Sequence, residues 1–271
     1  MAKIGVFDSG YGGLTILEAI RHELPEYDYL YLGDNARAPY GTHSFDVIYR
    51  YTLQAVQYLI HKNCALIILA CNTASAKALR TIQQKDLSLI KDKKVNVLGV
   101  IRPTVEAVPE ITKSKHVGIL ATPATVSSES YVLELEKIAP DLTISQQACP
   151  MWVPLIEAGE HNSLGANYFV EKYLHEILHQ DPQIDTLVLG CTHYPLLKEK
   201  IAQFAKNVGI IAQGELVAKS LADYLNRHPE YTSQLSLNGT CTYLTTENAD
   251  RFSQSASLFL SAPISAEHIV L

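Results

Sequence analysis

Short apolar runs alternate with stretches of helical period along this chain, and that alternation constrains its fold more than any other feature. Residues 4–7, 29–32, 65–69, 95–100, 117–121, 143–147 and 186–189 read as strands bounded by turn residues. Between them, apolar positions recur every three or four residues. Leu17, Ile20 and Leu24 form one such face. Ile48, Tyr51, Ala55 and Tyr58 form another behind a Ser44 cap, and Ala74, Ala78 and Ile82 a third. Val132, Leu135 and Ile138 make a fourth, and Ala166, Phe169, Tyr173 and Ile177 a fifth behind Asn162 or Ser163. Beyond residue 209 come a helix near 216–225, a Thr-rich strand at 240–245 and a helix near 248–260. Continuously apolar strands must be covered on both faces, and helices that follow strands in turn supply the cover. An α/β fold with a largely parallel sheet is expected.

The pattern also repeats. Ile4-Gly-Val-Phe parallels Val117-Gly-Ile-Leu at an offset of 113, and Cys71 matches Cys191 at an offset of 120. A Cys at the end of the corresponding strand in both halves is harder to obtain by chance than strand-loop-helix units. The expectation is two pseudosymmetric α/β domains with mostly parallel sheets.

Composition removes several function classes. The chain is 47% hydrophobic and 18% charged, which excludes a disordered protein. A net charge of −6 gives no overall field for nucleic acid, so nucleic acid is not an expected partner. No run approaches the ~20 apolar residues of a membrane span, and the first apolar run stops at Asp8, unlike a signal peptide. A cytoplasmic location follows as the expectation. The five cysteines, Cys64, Cys71, Cys149, Cys191 and Cys241, include no Cys-x-x-Cys pair. Neither a disulfide framework nor a four-ligand zinc site is expected.

Ligands of open α/β sheets bind beyond the carboxyl ends of the strands. Four loops qualify: residues 8–13, 70–73, 122–125 and 190–193. The first is glycine-rich, but Thr15 stands where the third Gly of a dinucleotide fingerprint belongs. The loop can still bind an anion through its backbone N–H groups and the helix dipole, and Asp8 and Ser9 otherwise read as helix caps. Cys71 and Cys191 each close a strand and open a helix, where the helix dipole should lower a thiol pKa from ~8.5 toward neutrality. A cysteine hydrolase needs one thiol and a partnering His. Two matched thiols suit a different task, removing a proton from one face of a carbon and returning one to the other.

Four segments carry a resemblance. Asp8-Ser-Gly-Tyr-Gly-Gly-Leu14, Arg37-Ala-Pro-Tyr-Gly41, Ala70-Cys-Asn-Thr-Ala-Ser75 and Gly190-Cys-Thr-His-Tyr-Pro195 resemble the signatures of the glutamate racemase family. The resemblance implies cofactor-independent racemisation that supplies D-glutamate for peptidoglycan. It also implies two α/β domains facing a central cleft, the first over residues 1–98 and completed by 209–271, the second over 99–208. A homodimer is expected. Cys71 and Cys191 correspond to the catalytic thiols, with Asp8 assisting the first, and Glu157 and His193 the second. Ser9, Tyr40, Gly41, Asn72, Thr73, Thr122, Thr125 and Thr192, with Asp8 and His193, would hold the amino acid. Other readings stay open: His193 as a helix cap, Glu157 as a surface carboxylate, Thr122 and Thr125 as loop-satisfying residues. Cys64, Cys149 and Cys241 match no catalytic position and read as buried small hydrophobes. Aspartate and hydantoin racemases share the paired thiols but resemble the chain less. A non-catalytic amino-acid binding protein would have lost a thiol, and both are present.

Overall fold

A computed structural model describes residues 1–90 and 94–271. Its strands are β1 (Lys3–Asp8), β2 (Tyr29–Gly33), β3 (Cys64–Leu69), β4 (Asn96–Gly99) and β5 (His116–Ala121). They continue with β6 (Thr143–Ala148), β7 (Thr186–Gly190), β8 (Gly209–Ile211), β9 (Cys241–Thr245) and β10 (Ala266–His268). One sheet has the order β10-β9-β2-β1-β3-β4 and the other β6-β5-β7-β8, and every pairing within them is parallel. All of β2, β3 and β7 is buried, as their unbroken apolar sequence requires.

Within these sheets, β2-β1-β3-β4 and β6-β5-β7-β8 follow the same order. The repeat read in the sequence is therefore a repeat of topology: β1 corresponds to β5, β3 to β7, and Cys71 and Cys191 follow β3 and β7. One core runs through both halves, joining Val6, Leu66 and Ile68 of the first sheet to Leu120, Leu187 and Leu189 of the second. Among the described residues, no helix is long and apolar enough to cross a membrane.

Several expectations need correction. β8 pairs with β7, so residues 209–211 belong to the second sheet, and a division at 208/209 cuts that sheet. The chain rejoins the first sheet only at β9; three residues were too short a run to announce a strand. Helix Ile101–Ile111 was not foreseen, because Pro103 and Pro109 interrupt its pattern. Residues 122–125 are not a loop. Thr122 caps helix Pro123–Val126, its hydroxyl accepting from Thr125 N–H at 3.3 Å with Pro123 in the first turn. In helix Ser130–Ile138 the buried residues are Tyr131 and Leu135, while Ile138 is exposed. The Tyr131 hydroxyl, bonded to Asn72, sets that helix's rotation. In helix Phe45–His61, Thr52, Val56 and Leu59 join Ile48 and Ala55 inside, and Tyr51 and Tyr58 lie at the boundary. Ser44 precedes that helix but makes no side-chain cap bond.

Candidate active site

Parallel strands deliver their carboxyl ends to one edge of a sheet, and both sheets here deliver a cysteine to the same cavity. Its free volume is about 70 Å³. Ser9, Gly10, Tyr40, Gly41, Cys71, Asn72 and Thr73 line it from the first half. Thr122, Cys149, Pro150, Glu157, Cys191, Thr192 and His193 line it from the second. Both Cys71 and Cys191 are buried.

Cys71 occupies the N-cap position of helix Asn72–Lys77 and accepts from the Ala74 N–H at 3.5 Å. The Ser9 hydroxyl lies 3.3 Å from its sulfur. The expected fall in its pKa does not occur. Burial pushes the thiol up to about 12, nearby Asp8 adds to the rise, and the Ser9 and Ala74 hydrogen bonds only partly offset it. Ser9 thus binds sulfur rather than capping a helix.

Asp8 ends β1, and its Oδ1 accepts the Gly10 N–H at 2.8 Å. The Gly13 amide and the Thr192 hydroxyl, the latter 3.3 Å from Oδ2, also bond to it. Burial raises its pKa from the ordinary aspartate value, opposed by the charge of His193 and by the Gly10 and Gly13 amides. Asp8 therefore ties the glycine loop to the second half of the molecule. It takes one amide from helix Gly13–Glu23, whose N-cap is Gly12.

On the other side, His193 Nδ1 lies 3.9 Å from Cys191 Sγ, and its Nε2 lies 2.9 Å from Glu157 Oε1. Burial drives the imidazole toward neutrality, but its bonds to Cys191 and Glu157 outweigh burial and carry its pKa to about 10. Glu157 keeps 26% of its side-chain surface exposed while pairing with a ring that keeps 6%. His193 is thus held by a thiol and a carboxylate and makes no cap bond to the turn Tyr194–Leu197. Gly12 permits this closeness: a Cβ there would overlap His193 Nδ1 and Thr192 Oγ1.

Three hydroxyls meet at the cavity wall. Thr73 Oγ1 lies 3.0 Å from Thr122 and 3.3 Å from Thr125. Gly41 abuts this group, since a Cβ on it would come within 2.8 Å of the Thr122 Cβ. Buried Asp34 fixes the Tyr40 side of the wall, accepting from the Tyr40 hydroxyl and from Arg37 Nε.

The structure brings every expected site residue to this region. Asp8 and Thr125 reach it through hydrogen bonds to the cavity-lining Thr192, Thr73 and Thr122. Cys149, read as a buried small hydrophobe, is buried and also lines the cavity. Its signal was present, because Cys149-Pro150 directly follows β6 and is another strand-end loop.

The Asp/Glu/Hydantoin racemase family model matches residues 14–221 of this chain. The chain belongs to that family. It is 40% identical over 275 residues to a glutamate racemase from Ruegeria sp. (strain TM1040), covering 97% of this chain and 98% of that one. A glutamate racemase structure from Bacillus anthracis matches with a TM-score of 0.87 at 31% identity, covering 100% of this chain and 98% of that chain. A Francisella tularensis glutamate racemase in complex with D-glutamate matches at a TM-score of 0.86 and 34% identity, covering 99% and 97%. The chain is thus an amino-acid racemase, and its two parallel sheets share the fold of solved glutamate racemases.

Proposed function

We propose that this racemase interconverts L- and D-glutamate by proton transfer between Cys71 and Cys191. The observation that carries the reading is that the two thiols, one from each sheet, line a single cavity. The relatives that span nearly the whole chain bear the name glutamate racemase, which supports glutamate over other amino acids.

In this reading one sulfur, as thiolate, takes the α-proton, and the opposite thiol delivers its proton to the other face of the resulting carbanion. Cys71 serves D-glutamate and Cys191 serves L-glutamate. The His193 imidazolium is a charge partner and proton donor beside Cys191, and Glu157 holds its ring. Asp8, buried at the end of β1, meets the substrate ammonium on the Cys71 side and helps move protons. Amides at the helix openings after β3 and β7 bind the α-carboxylate as it gains enolate character. Ser9, Tyr40, Gly41, Thr73, Thr122, Thr125 and Thr192 supply polar contacts to the amino acid. Desolvation in so small a cavity strengthens each of these interactions. Asn72 contributes through its backbone, since its carboxamide is bonded to Gln213 and Tyr131. The two sheets are proposed as the centres of two domains, and the protein as a cytoplasmic homodimer supplying D-glutamate for peptidoglycan.

The test is optical. L-glutamate and L-aspartate, incubated separately with the protein, are followed by circular dichroism. Glutamate signal should decay to zero while aspartate persists. Decay of aspartate alone would reassign the substrate.

A further inference from the structure

Asn72 opens the helix that follows Cys71, and protein groups hold both ends of its carboxamide. Its Nδ2 donates to Gln213 Oε1 at 2.6 Å, and its Oδ1 accepts from the Tyr131 hydroxyl at 2.7 Å. Gln213 Nε2 donates to the Tyr131 oxygen at 2.9 Å, which closes a ring of three side chains, and to Thr104 Oγ1 at 2.8 Å. Thr104 passes its own hydrogen to the Val100 carbonyl at 2.8 Å. Each hydrogen of the Gln213 amide therefore has an acceptor. Asn72 and Gln213 are 2% exposed, Thr104 and Tyr131 0%.

These residues come from distant parts of the chain. Asn72 follows β3, Thr104 lies on the helix by which the chain first leaves the first sheet, and Tyr131 lies on a helix of the second half. Gln213 stands between β8 and helix Gly214–Arg227, where the chain turns back toward the first sheet. Both passages between the sheets are thereby bonded to the residue beside a reactive thiol. At such burial a closed ring polarises along its length, and an unpaired member is costly.

We propose that Gln213 is a positioning residue for the Cys71 half of the site. It touches neither sulfur nor substrate. Acting through Asn72, it fixes the first turn of helix Asn72–Lys77 and so keeps the Ala74 N–H on the Cys71 sulfur. The proposal deepens the two-thiol reading and rests on Cys71 being one of the two bases.

Gln213→Met keeps the side chain's length and removes both polar ends. The full-length parent, Gln213→Met, Asn72→Ala and the double variant are compared in kcat and KM on both enantiomers. Amide hydrogen exchange of the peptide spanning residues 71–78 is followed alongside. In Gln213→Met, kcat should fall about tenfold in both directions with KM within about twofold. Exchange should quicken in that peptide and not across the sheets. The double variant should be no slower than Asn72→Ala alone. A kcat within twofold of the parent, or losses that multiply in the double variant, would overturn the proposal. Should Gln213→Met fail to fold, Tyr131→Phe, which removes one hydroxyl, makes the same test. It should cost about threefold in kcat, again without adding to Asn72→Ala, and an unchanged kcat would be equally decisive against the proposal. A parent inert toward both enantiomers would defeat the glutamate reading instead, and the exchange data would still decide whether Gln213 holds this turn.

Discussion

His193 keeps a proton that burial alone would remove. Its ring is bonded to Glu157 and lies beside the Cys191 sulfur, and these neighbours carry its pKa from an ordinary 6.5 to about 10. Protonation is thus favoured more strongly in the folded than in the unfolded protein. The stabilisation is complete below pH 6.5 and disappears as pH rises toward about 10. His193→Gln should therefore be less thermostable than the parent at pH 6, with the gap in Tm narrowing steadily up to pH 10. A gap independent of pH would mean that the ring is not held as imidazolium. The same substitution should slow racemisation by ~10²–10⁴, the usual worth of an assisting acid–base group. Cys71 shows how far sequence could reach at this scale. Its position at a strand end was legible; the rise of its pKa was not. Helix openings favour thiolates, but here burial and Asp8, brought close only by the pairing of β1 with β3, prevail.

Thr122 joins local structure to the site at the scale of elements. Its hydroxyl caps helix Pro123–Val126 and also meets Thr73 across the cavity wall. Thr122→Val should lower stability by about 1 kcal/mol through loss of the cap. It should also raise KM for glutamate by more than it lowers kcat, because in the proposed reading it removes a hydroxyl that holds the substrate and spares both thiols. An unchanged KM would leave Thr122 a cap and nothing more. Gly12→Ala acts between elements: the added methyl would displace His193 and Thr192. Activity should fall at least tenfold while the far-ultraviolet spectrum stays that of the parent, and full activity would show that the second half can yield. The strands of both sheets were mostly legible because buried parallel strands must be continuously apolar. Helix Ile101–Ile111 was not, since proline signals breaks even where the first turn accommodates it. The rotation of helix Ser130–Ile138 was illegible for another reason, as it answers to a hydrogen bond from Tyr131 to Asn72.

Across the whole molecule, a repeated strand order delivers one cysteine from each sheet to one cavity. The duplication could be read from two short matches, because equivalent strands keep equivalent apolar runs and equivalent ends. The return of the chain to the first sheet could not be read from spacing; it depends on β9 choosing β2 as its neighbour over any strand of the second sheet. The central claim is that the two sulfurs serve opposite faces of one carbon, so that the proton removed and the proton delivered differ. Racemisation of L-glutamate in deuterated water, sampled at low conversion by mass spectrometry of the separated enantiomers, tests this directly. The account predicts D-glutamate carrying one solvent deuterium at the α-carbon beside nearly unlabelled L-glutamate. Early labelling of the unreacted L-glutamate would show a single exchanging base and contradict it.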